Sequence, residues 1–238
     1  MQAILTRVRD LLRLIVTGHA GEVWLAVTQR VYSNAASVGL RRDLAVPFPA
    51  PTAKAPITIR PLLPGDQLEF LDVHQPGLSD TQVSGRLGQQ RLLQSGIQTC
   101  HVATNGAGRV CYMQWLIAPS ENARVRAFFG NLYPWLRSDE ALLEGAYTPE
   151  EYRGQGIMTD AMAQIAERGR VLEARWVITF VDEGNAASLK GCERAGFTPY
   201  VRRREAFRLF VRRVTFTPLA TVPTGRTGTR PTGRTGAV

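Results

Sequence analysis

The chain has 238 residues, with 29 basic and 20 acidic side chains and a formal net charge of +9. This length allows one well-buried core with a small additional element. The basic residues are nearly all arginine, are not interleaved with aromatic residues and accompany no zinc-finger or RNA-binding signature, so we expect no nucleic-acid partner. Three cysteines without CxxC spacing and three scattered histidines argue against a metal site and fit a cytoplasmic setting.

Residues 1–55 are expected to form an N-terminal helical arm and a Pro-rich linker. Apolar residues recur at helical spacing from Ile4 to Val16 within a helix predicted over residues 1–32. We favour packing of this stripe on protein, which leaves a homodimer open; contact of a basic helix with a membrane surface is the alternative. No apolar run is long enough to span a bilayer, and Arg13 interrupts the stretch that resembles a secretion signal.

The main domain is predicted over residues 56–216. It begins with a strand at Ile57–Leu62, followed by a short helix ending near Val73 and a helix capped by Ser79 or Asp80 that runs to about Gln94. A hairpin follows, with arms at 98–104 and 109–117 around an Asn-Gly turn. Residues 119–138 look irregular and contain four aromatic residues, which line an acceptor pocket, pack in the core or contact a second subunit.

An apolar strand at Ala141–Thr148 leads into the most informative stretch of the chain, Arg153-Gly154-Gln155-Gly156-Ile157-Met158. A helix is predicted to follow from Thr159 to Arg170. Glycines let the backbone approach an anion, the helix N-terminus presents unpaired N–H groups, and Arg153 adds a fixed positive charge. The stretch therefore predicts a phosphate-binding loop, although it matches neither a P-loop nor the dinucleotide fingerprint.

A buried strand is predicted at Trp176–Val181, and a helix opened by Asn185 and closed by Gly196 comes next. The last hairpin is expected to have arms at 198–203 and 206–216. Residues 217–238 repeat Thr-Gly-Arg-Thr-Gly and hold few apolar residues, which predicts a disordered basic tail.

The paired motifs resemble those of the GNAT superfamily of acetyl-CoA-dependent N-acyltransferases. The residues that match in type, order and spacing are Arg153, Gly156, Asn185, Gly196 and Phe197. Met158 stands where the family usually has Gly or Ala, and Cys192 stands where many members have a Tyr general acid. The resemblance implies an α+β fold, a mixed and mostly antiparallel central sheet with helices on both faces.

The resemblance also implies where acetyl-CoA binds as co-substrate, without a metal. The strand before the loop splays from the next strand, so its free backbone groups meet the pantetheine arm, and the loop holds the pyrophosphate. The expected binding residues are Ala146, Tyr147, Thr148, Arg153, Gly154, Gln155, Gly156, Ile157, Met158, Asn185 and Ser188. Asn185 is a helix cap, a CoA contact or both.

Glu144 is the candidate catalytic base, because a carboxylate in a mostly apolar strand must be solvated, paired or functional. A structural Glu–Arg pair is the competing interpretation, and Glu140 is the alternative base. Cys192 is the candidate acid for the leaving thiolate; a small buried residue is the competing interpretation.

The predicted function is transfer of an acetyl group from acetyl-CoA to a primary amine, on a small molecule or a peptide, by direct attack. The alternatives are transfer of a long acyl chain from acyl-CoA or acyl carrier protein, and a non-catalytic CoA-binding module. The sequence does not identify the acceptor. Arg202, Arg203 and Arg204 either attract an acidic acceptor or form a solvated edge.

Overall fold

A computed structural model gives the architecture of residues 30–219. Eight strands occur in that range: β1 (Tyr32–Asp43), β2 (Thr58–Pro61), β3 (Cys100–Thr104), β4 (Val110–Ile117), β5 (Glu140–Tyr147), β6 (Trp176–Asp182), β7 (Thr198–Arg208) and β8 (Val211–Pro218). Four α-helices accompany them: α1 (Asp80–Leu93), α2 (Asn122–Phe129), α3 (Ile157–Glu167) and α4 (Ala186–Arg194).

The strands form one mixed sheet in the order β2-β3-β4-β5-β6-β1-β7-β8. β5 and β6 run parallel, and the other neighbouring pairs within the described range run antiparallel. Helices α1 and α2 pack on one face, and α3 and α4 pack on the other. The predicted α+β fold, a mostly antiparallel sheet covered on both faces, is therefore confirmed.

Alternation along the strands separates the two cores. On β5, Leu142 packs with the core beneath α1 and α2, whereas Ala141 and Leu143 pack with the core beneath α3 and α4. Successive side chains of a strand point to opposite faces, so residues on either side of Glu144 can be assigned in the same way.

β1 differs from the prediction, which places Tyr32–Asp43 in the arm region and gives it no strand. β1 instead lies between β6 and β7, with Val38 paired to both Val181 and Arg202. Its small and polar residues hide the usual apolar alternation. In place of a domain boundary at residue 56, we propose a folded unit that includes β1.

Close packing explains the unusual composition of β1. A Cβ atom on Gly39 would lie 2.3 Å from Val201 Cγ1 and 2.8 Å from Phe180 Cε1, so a side chain does not fit there. Arg42, which is 2% exposed, pairs with Glu167 and donates a hydrogen bond to the backbone oxygen of Ala163 at 3.1 Å. The buried positions of β1 thus include a glycine and an arginine, residue types that do not contribute to an apolar alternation.

Most other elements lie close to their predicted positions. Ser79 caps α1 in a capping box with Gln82, and Asn185 caps α4. α3 begins at Ile157, two residues earlier than predicted. The segment 119–138 was expected to be irregular, but it contains α2, and the side chain of Asn122 bonds both backbone polar groups of Leu136 at 2.9 Å.

The last hairpin turns later than predicted. Arg204 and Glu205, expected at the turn, pair with Ala36 and Ala35 of β1. The chain reverses instead at Leu209 and Phe210, whose φ angles of 48° and 66° are uncommon for bulky residues. β8 then runs through Pro218, past the expected start of the tail at residue 217.

The helix predicted for residues 1–32 lies almost entirely outside the described residues, and so does the tail after residue 219. Among residues 30–219, no helix has the length and apolar character needed to cross a membrane.

Candidate active site

The site begins where β5 and β6 separate. Their parallel register pairs end at Leu142 and Ile178. Beyond this point the register between β4 and β5 shifts, and Gly145 has a φ of +68°. A Cβ atom there would lie 2.6 Å from Leu92 Cδ2, so glycine is required for both backbone conformation and space. The shift turns the end of β5 away from β6.

A cavity of about 250 Å³ occupies the gap. Both faces of the sheet contribute to its wall: Gln89 comes from α1, while α3 and α4 supply the opposite side. The lining residues are Gln89, Gln114, Glu144, Gly145, Ala146, Met158, Met162, Thr179, Phe180, Val181, Asp182, Asn185, Ser188 and Cys192. The cavity is therefore reached from both faces of the sheet.

The predicted phosphate loop lies between β5 and α3. Gly154 and Gly156 have φ angles of +74° and +78°, in the left-handed region that favours glycine. Gly156 is the N-cap of α3, whose first N–H groups have no acceptor within the helix. Arg153 is exposed at the loop and donates through Nε to the Thr148 oxygen at 3.2 Å.

The end of the Pro-rich linker forms hydrogen bonds with this loop and with α3. The backbone N–H of Lys54 donates to the oxygen of Gln155 at 2.9 Å, and that of Ala53 donates to the buried Asp160 carboxylate at 2.8 Å. A residue predicted as part of a linker therefore fixes the loop conformation.

Glu144 faces the side of α1 and α2, because it alternates with Leu142. Burial raises the pKa of its carboxyl group, and hydrogen bonding by Tyr133 and the charge of Arg203 oppose that rise. Arg203 lies 5.4 Å from the centre of the Tyr133 ring and 5.0 Å from that of Phe180. Glu144 is thus a partly buried carboxyl group with a phenol and a cation nearby.

Glu140, the alternative base, lies at the other end of β5 and does not line the cavity. It accepts hydrogen bonds from the backbone of Arg137 at 3.0 Å and from its guanidinium at 2.9 Å. This is the structural Glu–Arg pair that the sequence left open for Glu144.

Cys192 lies in the wall formed by α4 and is 0% exposed. Burial raises the pKa of its thiol to about 12. Ser188 lines the same wall one turn earlier, and its N–H donates to the Asn185 side chain at 3.0 Å. Met158 fills space beside α4, since a Cβ atom on Gly191 would lie 2.7 Å from its Cε.

Six of the thirteen predicted site residues converge on the cavity: Glu144, Ala146, Met158, Asn185, Ser188 and Cys192. The others lie along the loop or at the end of β5. Tyr147 stacks on Phe70 with ring centres 5.7 Å apart, and Gln155 Nε2 donates to the Glu151 oxygen at 3.1 Å. Ile157 is 3% exposed and packs in the core beneath α3 and α4.

Sequence patterns did not place Tyr133 or Arg203 beside Glu144, and they did not indicate Gln89 or Gln114. Tyr133 was one of several aromatic residues in a segment without a readable pattern, and Arg203 was one of three adjacent arginines. The structure separates those arginines: Arg202 pairs with Glu183, Arg204 is exposed, and Arg203 donates to Ser37 Oγ of the neighbouring strand β1 at 2.9 Å.

A family model described as an acetyltransferase (GNAT) domain matches residues 58–198, more than half of the chain. The chain belongs to the GNAT acetyltransferase family. Members generally use acetyl-CoA and act on small-molecule or peptide amines. The resemblance predicted from the loop and the Asn-led helix is thereby confirmed. No curated protein matches the chain.

Several solved structures are similar to this GNAT chain. A GCN5-related N-acetyltransferase from Sphaerobacter thermophilus is 16% identical with a TM-score of 0.44, covering 80% of this chain and 57% of that one. A GNAT acetyltransferase from Colwellia psychrerythraea is 13% identical with a TM-score of 0.46, covering 80% and 62%. A tandem GNAT protein from the clavulanic acid biosynthesis pathway is 18% identical with a TM-score of 0.45, covering 76% and 55%. The chain thus spans little more than half the length of these proteins.

Proposed function

We propose that this protein transfers an acetyl group from acetyl-CoA to a primary amine by direct attack. The observation that carries the proposal is the cavity at the β5–β6 separation, which lies between a glycine loop and a partly buried carboxyl group. A thioester held from one side and an amine held from the other would meet there. Holding two reactants in register accounts for much of the acceleration in such reactions.

The residues present fit the acyl donor. Gly154 and Gly156 have the positive φ angles that allow close approach of a pyrophosphate, and the α3 N-terminus offers N–H groups. Arg153 is exposed beside them. Beyond Leu142, the side of β5 that faces the cavity includes Ala146, whose backbone would pair with the pantetheine arm; Tyr147 and Thr148 continue this path toward the loop.

Glu144 would act as the base. An amine arrives mainly as ammonium at neutral pH and must lose a proton before it attacks. A carboxyl group whose pKa is raised is a better proton acceptor than an ordinary one, provided that it is ionised at the working pH. The nitrogen then attacks the carbonyl carbon, and a backbone N–H of β5 would stabilise the oxyanion.

The last step breaks the C–S bond and releases CoA as a thiol. The proton that it needs is available from the amine nitrogen, which carries an extra proton after attack. Cys192 would be a weaker acid than an ordinary thiol, since its pKa of about 12 lies above the usual value of roughly 8.5. We therefore propose Cys192 chiefly as a wall of the donor side.

A direct test combines purified full-length protein with acetyl-CoA and a panel of amines that includes amino sugars, small polyamines and peptides. Release of free thiol would be followed, and the acetylated product would be identified by mass spectrometry. We expect amine-dependent thiol release with an amide product. Binding of acetyl-CoA without turnover on a broad panel would favour the non-catalytic module, and turnover with long-chain acyl-CoA alone would favour the other alternative.

A further inference from the structure

Gln114 is a buried residue in the cavity wall that no step above uses. It lies on β4 and is 0% exposed. The hydroxyl of Tyr112 donates a hydrogen bond to its Oε1 at 2.7 Å, which fixes the orientation of the amide. Its Nε2 is buried and has no hydrogen-bond partner within residues 30–219.

A buried donor without a partner requires an explanation, because a buried polar group that makes no hydrogen bond costs about 1–3 kcal/mol of stability. Six side-chain atoms of the described residues are in this condition, and two of them belong to residues that line this one cavity, Gln114 Nε2 and Gln89 Oε1. Two amides at the same cavity, each with one unpaired polar atom, indicate that a ligand supplies the missing partners.

The face on which Gln114 lies identifies the ligand. Gln114 alternates along β4 with Tyr112 and Leu116, which both pack in the core beneath α3 and α4. Glu144 lies on the opposite side, where the amine would enter. Cys192, Met158 and the loop before α3 share the Gln114 side, and this is the side proposed for acetyl-CoA.

We propose that Gln114 is a further binding residue for the acyl donor, donating a hydrogen bond from Nε2 to a carbonyl oxygen of the acetyl-pantetheine arm. The inference rests on the proposed function, since it assumes that acetyl-CoA enters this cavity. A carbonyl oxygen is the acceptor that the arm offers repeatedly, at its two amides and at the thioester.

Calorimetric titration of acetyl-CoA into the Gln114→Met protein tests this assignment. Methionine has similar length but no donor, so affinity should fall by about three- to tenfold, the usual contribution of one neutral hydrogen bond. Tyr112→Phe is the matched comparison, because it removes the hydrogen bond that orients the amide but keeps the amide donor; its loss of affinity should be smaller than that of Gln114→Met. Should Gln114→Met fail to fold, Gln114→Asn replaces it, since the shortened amide withdraws the donor and should also lose several-fold affinity.

Parallel titration with CoA locates the partner. An equal loss for both ligands assigns the bond to a pantetheine amide, and a loss for acetyl-CoA alone assigns it to the thioester; either result supports the proposal. Wild-type affinity in a folded Gln114→Met protein would overturn it, as would a larger loss in Tyr112→Phe than in Gln114→Met. Failure of the wild-type protein to bind either ligand would instead refute the proposed function, and this inference with it.

Discussion

At the scale of single residues, Glu144 shows how the surroundings of a carboxyl group change its partners and its pKa. The same residue type four positions earlier, Glu140, is held by Arg137, whereas Glu144 faces a cavity and has its pKa raised by burial. The two carboxyl groups therefore make a natural test pair within one strand.

Glu144→Gln should reduce kcat by about 10²–10⁴-fold while acetyl-CoA affinity stays nearly unchanged, because the base is removed and the shape is kept. In the wild type, kcat/KM should rise with pH through a pKa above the ordinary glutamate value, since only the ionised base acts; this limb should vanish in the variant. Glu140→Gln serves as the control and should retain turnover. Wild-type rates for Glu144→Gln across that pH range would make Glu144 structural.

The same raised pKa has a consequence for stability. A carboxyl group whose pKa is raised in the folded state favours folding at low pH, and that contribution is lost as pH rises through the folded-state pKa. The melting temperature of Glu144→Gln relative to wild type should therefore be higher at about pH 8 than at about pH 5, values on either side of the expected range. This comparison distinguishes loss of a base from loss of the fold.

Arg153→Glu should weaken acetyl-CoA binding by about tenfold or more, because it replaces a charge-assisted contact to a pyrophosphate with repulsion. Titration calorimetry at two salt concentrations would measure the effect, and higher salt should reduce it. Arg213→Glu on the outermost strand β8 makes the same charge change at an exposed position. Equal losses in both variants would point to net charge rather than to the loop.

Cys192→Ala should keep kcat within a few-fold of wild type. The thiol has a pKa of about 12, so proton transfer to a thiolate with an ordinary pKa near ~8.5 runs uphill. Steady-state rates with saturating acetyl-CoA would measure this. A fall of two or more orders of magnitude, about the contribution of a general acid, would restore Cys192 to the acid role.

At the scale of elements, β1 is a strand in the middle of the sheet that lies outside the family match, which begins at residue 58. β1 pairs with both β6 and β7, and it contains the buried residue Arg42. Without it, one wall of the cavity would lose its neighbour, because β6 lines the cavity from Thr179 to Asp182.

Removal of residues 1–46 should therefore abolish cooperative unfolding, whereas removal of residues 1–29 should preserve it, since the second truncation keeps all eight strands. Thermal unfolding followed by circular dichroism would compare the two proteins. A chain that begins at Pro47 and melts like the wild type would show that β1 is an accessory to the sheet.

Local patterns were sufficient for most elements. The capping residues Ser79 and Asn185 and the glycines of the loop act over a few positions, so the sequence around them carries the whole signal. β1 and the turn at Leu209 and Phe210 were not predicted, because their residue types are set by contacts with distant parts of the chain and not by their sequence neighbours. Gly39 has no side chain because Val201 and Phe180 fill its space, and the turn residues adopt positive φ against their own preference.

At the scale of the whole molecule, the site is assembled from segments that are far apart in sequence. Gln89, Gln114, Glu144 and Cys192 come from four different elements and meet only because β5 and β6 separate. Tyr133 and Arg203 reach Glu144 from two further segments. No spacing rule connects such residues, since the distances between them are set by sheet order.

The sequence by itself determined the family, the α+β class and the glycine loop before α3, because glycine conformation, helix capping and strand alternation are local properties. It also placed Glu144 on the strand before that loop. The tertiary structure decided which glutamate is paired with an arginine and which lines the cavity, where β1 belongs, and that Gln114 holds an unpaired amide N–H there. These outcomes depend on which neighbours desolvate or bond each group, and those neighbours are brought together only by packing.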